Sequence, residues 1–281
     1  MGQWDRPILR DPTLFSEADF VVMESTYGDR DHDSHESVEP QMERVINETV
    51  EAGGNVVIPT FAVERAQELM FYLSRLVRGR RIPNVPVFLD SPMAVDVTDV
   101  FRRHRECFDE EAWRMISSGE PPLRFPGLKM VRTTKESKAI NEMKEPAIIM
   151  AGSGMCTAGR IKFHLRRNIE RPESALLFVV FQVRGTLGRQ ILDGDPEVRI
   201  HGRKWKVRAR VEQIHGFSGH ADRGALLRWL GSLKTPPRRL FLTHGEEEGA
   251  LSLADRVRAD MGWDVDVPEY QQEVSLGAAK G

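Results

Sequence analysis

The sequence predicts a mixed α/β fold built on a mostly parallel sheet. Short apolar runs alternate with longer stretches of helical periodicity along most of the chain. Glycine, proline and acidic residues punctuate the ends of those runs. Residues able to do chemistry gather where apolar runs stop, the edge at which open α/β sheets place their sites.

Residues 1–18 are polar and turn-rich, with Pro7 and Pro12. Phe20-Val21-Val22-Met23 reads as a short buried strand that ends at Glu24-Ser25-Thr26-Tyr27-Gly28. The segment Asp29 to Glu36 holds His32, His35 and several acids. It has the composition of a metal cluster but no rigid element beneath it. Metal ligands need fixed positions and supporting contacts, which favours a solvated loop.

The α/β alternation begins at Val38. A helix over about 38–52 stops at Gly53-Gly54. A strand at 56–58 and a helix at 64–76 come next. The strand at 86–89 ends at Asp90-Ser91-Pro92, with helices after it to about 117. Residues 128–132 and 146–150 read as strands, and 175–181 as another. Between the last two lies Gly152-Ser153-Gly154, then Arg160 and a helix to about 168. Glycines let a backbone approach closely, so Ser153 and Gly154 are candidates to cradle a phosphate. Arg160 is a candidate to add a charge-assisted bond. A tight turn made for packing explains the same residues, and the spacing does not fit a dinucleotide fingerprint.

Positive charge is densest over 199–210. In a strand, Lys204, Lys206, Arg208 and Arg210 share one face. That face is either solvated or turned to a polyanion. The run Trp205 to Ile214 leads as a strand into His215-Gly216-Phe217-Ser218-Gly219-His220-Ala221-Asp222. A tight glycine turn and a helix carrying Leu226, Leu227, Trp229 and Leu230 come after it. His220 is thereby expected at a strand end, with Asp222 capping the helix. Ser218 and Gly219 offer backbone N–H groups to an anion. The strand 238–243 ends at His244-Gly245-Glu246, with a helix over about 247–260 and a strand at 264–267 beyond it.

Composition narrows the classes. The chain has 281 residues, 40% hydrophobic and 29% charged, and a net charge of −2. A polyanion must then be held by a local basic patch and not by a global field. No apolar run is long enough to span a membrane. The first ten residues lack the apolar core of a signal peptide. Two cysteines, Cys107 and Cys156, make neither a disulfide framework nor a cysteine zinc site, so a reducing cytoplasm is expected.

Three motifs stand in order: Glu-Ser-Thr-Tyr-Gly at Glu24, Ser-Gly-His-Ala-Asp around His220, and Thr-His-Gly-Glu around His244. With Pro59-Thr60-Phe61-Ala62-Val63, Asp90-Ser91-Pro92-Met93-Ala94 and Gly152-Ser153-Gly154-Met155-Cys156, the chain resembles the metallo-β-lactamase-fold ribonucleases of the β-CASP group, most of all the bacterial RNA-processing type. The resemblance covers nearly the whole sequence. It implies a partial metallo-β-lactamase (αββα) domain at 1–37 and 201–281, with a β-CASP domain of mostly parallel sheet inserted at 38–200. It implies zinc-dependent hydrolysis of RNA phosphodiester bonds. Glu24 and His220 take the family's catalytic places, the histidine as general acid. His244 takes the place of a zinc ligand, and histidine there points to RNA.

The sequence departs from the family in one respect. Two zinc ions are bound in the family through His-x-His-x-Asp-His, a further histidine and an aspartate, all upstream of the first motif. No His-x-His-x-Asp-His occurs here, and Gly2-Gln3-Trp4-Asp5 resembles the family's segment just past the aspartate ligand. The expectation is an incomplete zinc site, weak cleavage by this chain alone, and self-association with a homodimer as its simplest form. The competing expectation is a non-catalytic RNA-binding or scaffold protein of the same descent.

Overall fold

The computed structural model describes residues 2–32 and 38–277. They form two compact units. Among the described residues, the smaller holds 2–6, 11–32 and 219–277, and the larger holds 7–10 and 38–218.

In the smaller unit, β1 (Phe20–Glu24) pairs in parallel with β10 (Arg239–Thr243), which pairs with β11 (Val265–Asp266). Two helices pack on this sheet: α8 (Arg223–Leu230) and α9 (Glu247–Met261). Their apolar stripes supply Leu226, Leu230, Leu253 and Val257, which are buried with Val21, Met23, Leu240 and Leu242 in one cluster. The period of 3.6 on the helices meets the period of 2 on the strands across that core.

The larger unit is built on a six-stranded parallel sheet. Its strands are β2 (Val56–Pro59), β3 (Val87–Asp90), β4 (Leu128–Met130), β5 (Ile148–Ala151), β6 (Ala175–Phe178) and β9 (Arg210–Gln213), in the order β4-β3-β5-β2-β6-β9. The four central strands are buried at every residue, as a sheet covered on both faces requires. Alternate side chains go to opposite cores. Val56, Ile58, Leu89 and Met150 pack with α1 (Val38–Glu51), α2 (Arg65–Arg78), α3 (Pro92–Arg103) and α4 (Glu110–Ser117). Val57, Phe88, Ile149 and Leu176 pack on the other face with α5 (Thr134–Glu142), α6 (Ile161–Asn168) and α7 (Leu187–Leu192).

The basic stretch departs from the sequence expectation, because it is not one strand. A hairpin of β7 (Glu197–Ile200) and β8 (Arg203–Lys206) turns at His201-Gly202, and β9 starts only at Arg210. The break falls where the backbone N–H groups of Arg208 and Ala209 both donate to the Ile169 carbonyl. Because β9 pairs with β6, and Ile214 and Phe217 enter the core beneath, residues 201–218 pack with the larger unit. Pro7–Arg10 does the same, anchored by buried Ile8. Helices α5 and α7 were not anticipated either. The first is marked by a capping box, Thr133 with Glu136, which the sequence displays.

Candidate active site

Parallel register brings the first pair of site residues together. Glu24 at the end of β1 is aligned with Thr243 at the end of β10, so His244 comes next at the same edge. The Ser25 hydroxyl donates to the Thr243 carbonyl at 2.9 Å and ties the two strand ends. His244 has φ of +50°, a left-handed conformation that turns the chain sharply. Gly245 is required next to it. A Cβ there would lie 2.5 Å from Ser25 Oγ and 2.6 Å from the Ser25 carbonyl.

His220 reaches this edge from a different segment. It lies beyond β9 and the Phe217 anchor, in a β-bridge with Gly2. The expected strand end directly before it is absent. Asp222 does cap α8, accepting from the Ala225 N–H at 2.8 Å. Its other oxygen accepts from the Gln3 side chain and from the His32 N–H, each at 3.1 Å. His32 Nε2 lies 3.1 Å from the His220 carbonyl, and its ring packs edge-on against Tyr27. His32 thus braces the His220 turn. His35 and Glu36 lie outside the described residues.

The side chains converge. His220 Nδ1 is 2.6 Å from Glu24 Oε2. The Thr26 hydroxyl sits 2.8 Å from the same oxygen, 2.8 Å from the His244 carbonyl and 3.3 Å from His244 Nδ1. The rings of His220 and His244 stack with centroids 5.3 Å apart. Burial alone would raise the Glu24 carboxyl, but hydrogen bonds from His220 and Thr26 hold it well below the usual carboxylate range. Glu24 is a buried anion and His220 its half-exposed partner. Sequence reasoning gave Thr26 no role. Its signal was its place inside the Glu24 motif, two residues past the acid and level with His244.

Ligand atoms of Glu24, His220 and His244 all lie within 4.8 Å of one another. One carboxylate and two imidazoles are the donor types that zinc takes, in the number a hydrolytic site uses. Among the described residues this is the group of three that fits a metal ion.

The other sequence candidates belong to the larger unit, except Gly219, whose carbonyl accepts from the Gln3 N–H. Ser153 Oγ is engaged inside its loop with Thr157 and Ala158. Gly154 lies under the Phe61 ring, and its carbonyl accepts from Gln182. Arg160 is engaged within the unit. Its guanidinium donates to buried Asp90 at 2.6 Å and to the carbonyls of Val131 and Arg132. Of the basic face, Lys204 pairs with Glu197 and Arg210 with Glu48, while Lys206 and Arg208 stand exposed. Ser218 is the last residue of the larger unit.

The family models that match this chain belong to the metallo-β-lactamase fold with an inserted domain. The chain belongs to the β-CASP group of that fold. A Beta-Casp domain model matches residues 66–191, and the Zn-dependent metallo-hydrolase RNA specificity domain matches 204–268. The chain is 40% identical over 276 residues to ribonuclease TTHA0252 of Thermus thermophilus, covering 98% of this chain and 62% of that protein. It is 36% identical to transcription termination factor FttA of Methanocaldococcus jannaschii, over 87% of this chain and 39% of that protein. The factor of the same name from Thermococcus kodakarensis is 33% identical over 93% and 41%. The chain thus spans less than two thirds of the length of each of these relatives. No helix among the described residues is long and apolar enough to cross a membrane.

Proposed function

We propose that this chain carries part of a zinc-dependent ribonuclease site acting on single-stranded RNA. The observation that carries the reading is the convergence of Glu24, His220 and His244 within 4.8 Å. The names of the relatives, a ribonuclease and a transcription termination factor, support RNA as the substrate.

Each residue has a role. Glu24 accepts from His220 Nδ1 and orients the ring, so that Nε2 is the nitrogen that gives a proton to the departing oxygen. Thr26 accepts from His244 Nδ1 while donating to Glu24, which leaves the lone pair of His244 on Nε2 for a metal. His244 would hold the ion, with Glu24 and His220 beside it. Zinc bound there supplies Lewis-acid activation of water and of the phosphoryl oxygens. While His220 carries the proton it gives, Glu24 and His244 are the donors this cluster offers an ion, and a third ligand and the family's second ion need donors beyond it.

The specific support for a non-catalytic RNA-binding chain is that same shortage of donors. Turnover of a labelled single-stranded RNA with added zinc decides between them. Chelator-sensitive cleavage lost in His220→Ala supports the enzyme. RNA binding without any cleavage supports the binding protein. A cytoplasmic setting rests on two free cysteines, one of them exposed. Self-association is supported by Val22, 70% exposed on β1 at the sheet edge, and light scattering tests it.

A further inference from the structure

The larger unit carries an aromatic and basic surface that the cleavage chemistry does not use. Helix α6 begins just past the Gly152 loop and turns Lys162, Phe163 and Arg166 outward. Phe163 is 52% exposed, unusual for a ring of that size. The β7–β8 hairpin lies beside it. His201, at the hairpin turn, packs its ring on Phe163 with centroids 4.8 Å apart. The guanidinium of Arg166 lies 5.6 Å from the centre of the Trp205 ring. Arg203 shares the Trp205 face of β8, two residues away.

Charge around these rings is one-sided. Among the described residues, Lys162, Arg166 and Arg203 make no ion pair with a carboxylate. The two acids at the rim are engaged: Glu197 with Lys204, and Glu170 with the backbone N–H of Lys206. Partial burial, and then the charges of Lys162 and Arg166, lower the proton affinity of His201. The shift favours the neutral ring, which presents an aromatic face beside Phe163. The surface alternates ring and cation at the spacing of one helix face and one hairpin.

We infer that this face of α6 and the β7–β8 hairpin is a second binding site for single-stranded RNA, with a base stacked on Phe163 and His201 and phosphates held by Lys162, Arg166 and Arg203. The inference rests on the reading of RNA as the substrate. Single strands are favoured because a duplex hides its base faces, whereas an unpaired base can stack on an exposed ring. The neighbouring cations take the phosphates on either side and release counterions. This face differs from the run of Lys204 and Lys206, which point away from Trp205 on the opposite side of β8.

Fluorescence anisotropy of a labelled ten-nucleotide oligouridine, with chelator present to prevent cleavage, tests the site. Phe163→Ala is expected to weaken binding about tenfold, and Phe163→Trp to preserve it. Lys162→Ala with Arg166→Ala is expected to reduce the slope of log affinity against log salt by roughly 1.4. A blunt duplex of the same length is expected to be indifferent to Phe163→Ala. Native affinity and slope in all variants would overturn the site, and so would a native chain that binds no oligouridine at low salt. Zinc-dependent cleavage is scored separately. If it persists while these variants bind like native protein, this site fails and the ribonuclease reading stands. If binding depends on Phe163 and no cleavage occurs, the site stands and the ribonuclease reading fails.

Discussion

His220 Nδ1 stands 2.6 Å from Glu24 Oε2, across 196 positions of sequence. The contact joins a half-exposed imidazole to a buried carboxylate whose proton affinity is depressed. A depressed carboxylate stays ionised well below neutral pH, so the acid limb of a rate profile will not come from Glu24 itself. Glu24→Gln keeps an oxygen for the His220 N–H but removes the charge. Single-turnover cleavage is expected to fall about 10²- to 10⁴-fold. Adding His220→Ala to it is expected to cost little more, because the two act as one unit. A Gln variant with the native rate would remove Glu24 from the chemistry.

Gly245 tests the backbone that sets His244. Any Cβ at 245 meets Ser25 inside contact distance, and much of that contact is backbone. Gly245→Ala must push β1 and β10 apart at their carboxyl ends. The expected loss is about 1–3 kcal/mol, read as a lower urea midpoint. A neutral substitution would show that this turn has room the geometry denies.

Much of this architecture was legible in the residues. The buried runs of β2, β3, β5 and β6 are short, apolar and bounded by turn signals, and they are the central strands. Glu24 and His244 were legible because each comes directly after such a run. His220 was placed at a strand end wrongly. Local alternation from Trp205 onward does not reveal that β9 stops at Gln213 and that His220 instead bridges Gly2. The internal partners of Arg160 were not legible either. A cation after a glycine loop reads as an anion ligand unless the buried Asp90, 70 positions away, is known to face it. Long-range pairing decides both cases, and no local pattern records it.

Asp90 gives a pH prediction. It is fully buried, with Arg160 on one oxygen and His164 and Ser137 on the other, each at 2.6 Å. Burial opposes its ionisation, but the hydrogen bonds from His164, Ser137 and Arg160 prevail and lower its proton affinity. A carboxyl depressed in the folded state stabilises above its unfolded value, near 4, and loses that contribution as pH falls through the folded value. Asp90→Asn is expected to cost about 3–5 kcal/mol at pH 7, since it leaves the Arg160 guanidinium without its buried counter-charge. The gap between native and variant urea midpoints should be widest at neutral pH and narrow below about pH 4. A gap that is constant from pH 7 to pH 3 would show that the carboxylate charge is not what stabilises.

Zinc content tests the site as a whole. Glu24, His220 and His244 supply three donors, the number a hydrolytic zinc takes from protein. The chain is therefore expected to bind about one zinc ion, measured by elemental analysis after dialysis. His244→Ala is expected to abolish binding. Thr26→Val removes the hydroxyl proposed to fix the His244 tautomer while keeping the side chain's shape. Its affinity for zinc should fall about 10- to 100-fold, the usual cost of losing a partner that orients a ligand. His220→Ala separates two roles for that residue. If His220 is the proton donor, the variant keeps its zinc and loses cleavage. If it is a ligand, zinc and cleavage disappear together, and the proton must come from elsewhere. A native count near two would require donors outside the trio and would overturn the one-ion site.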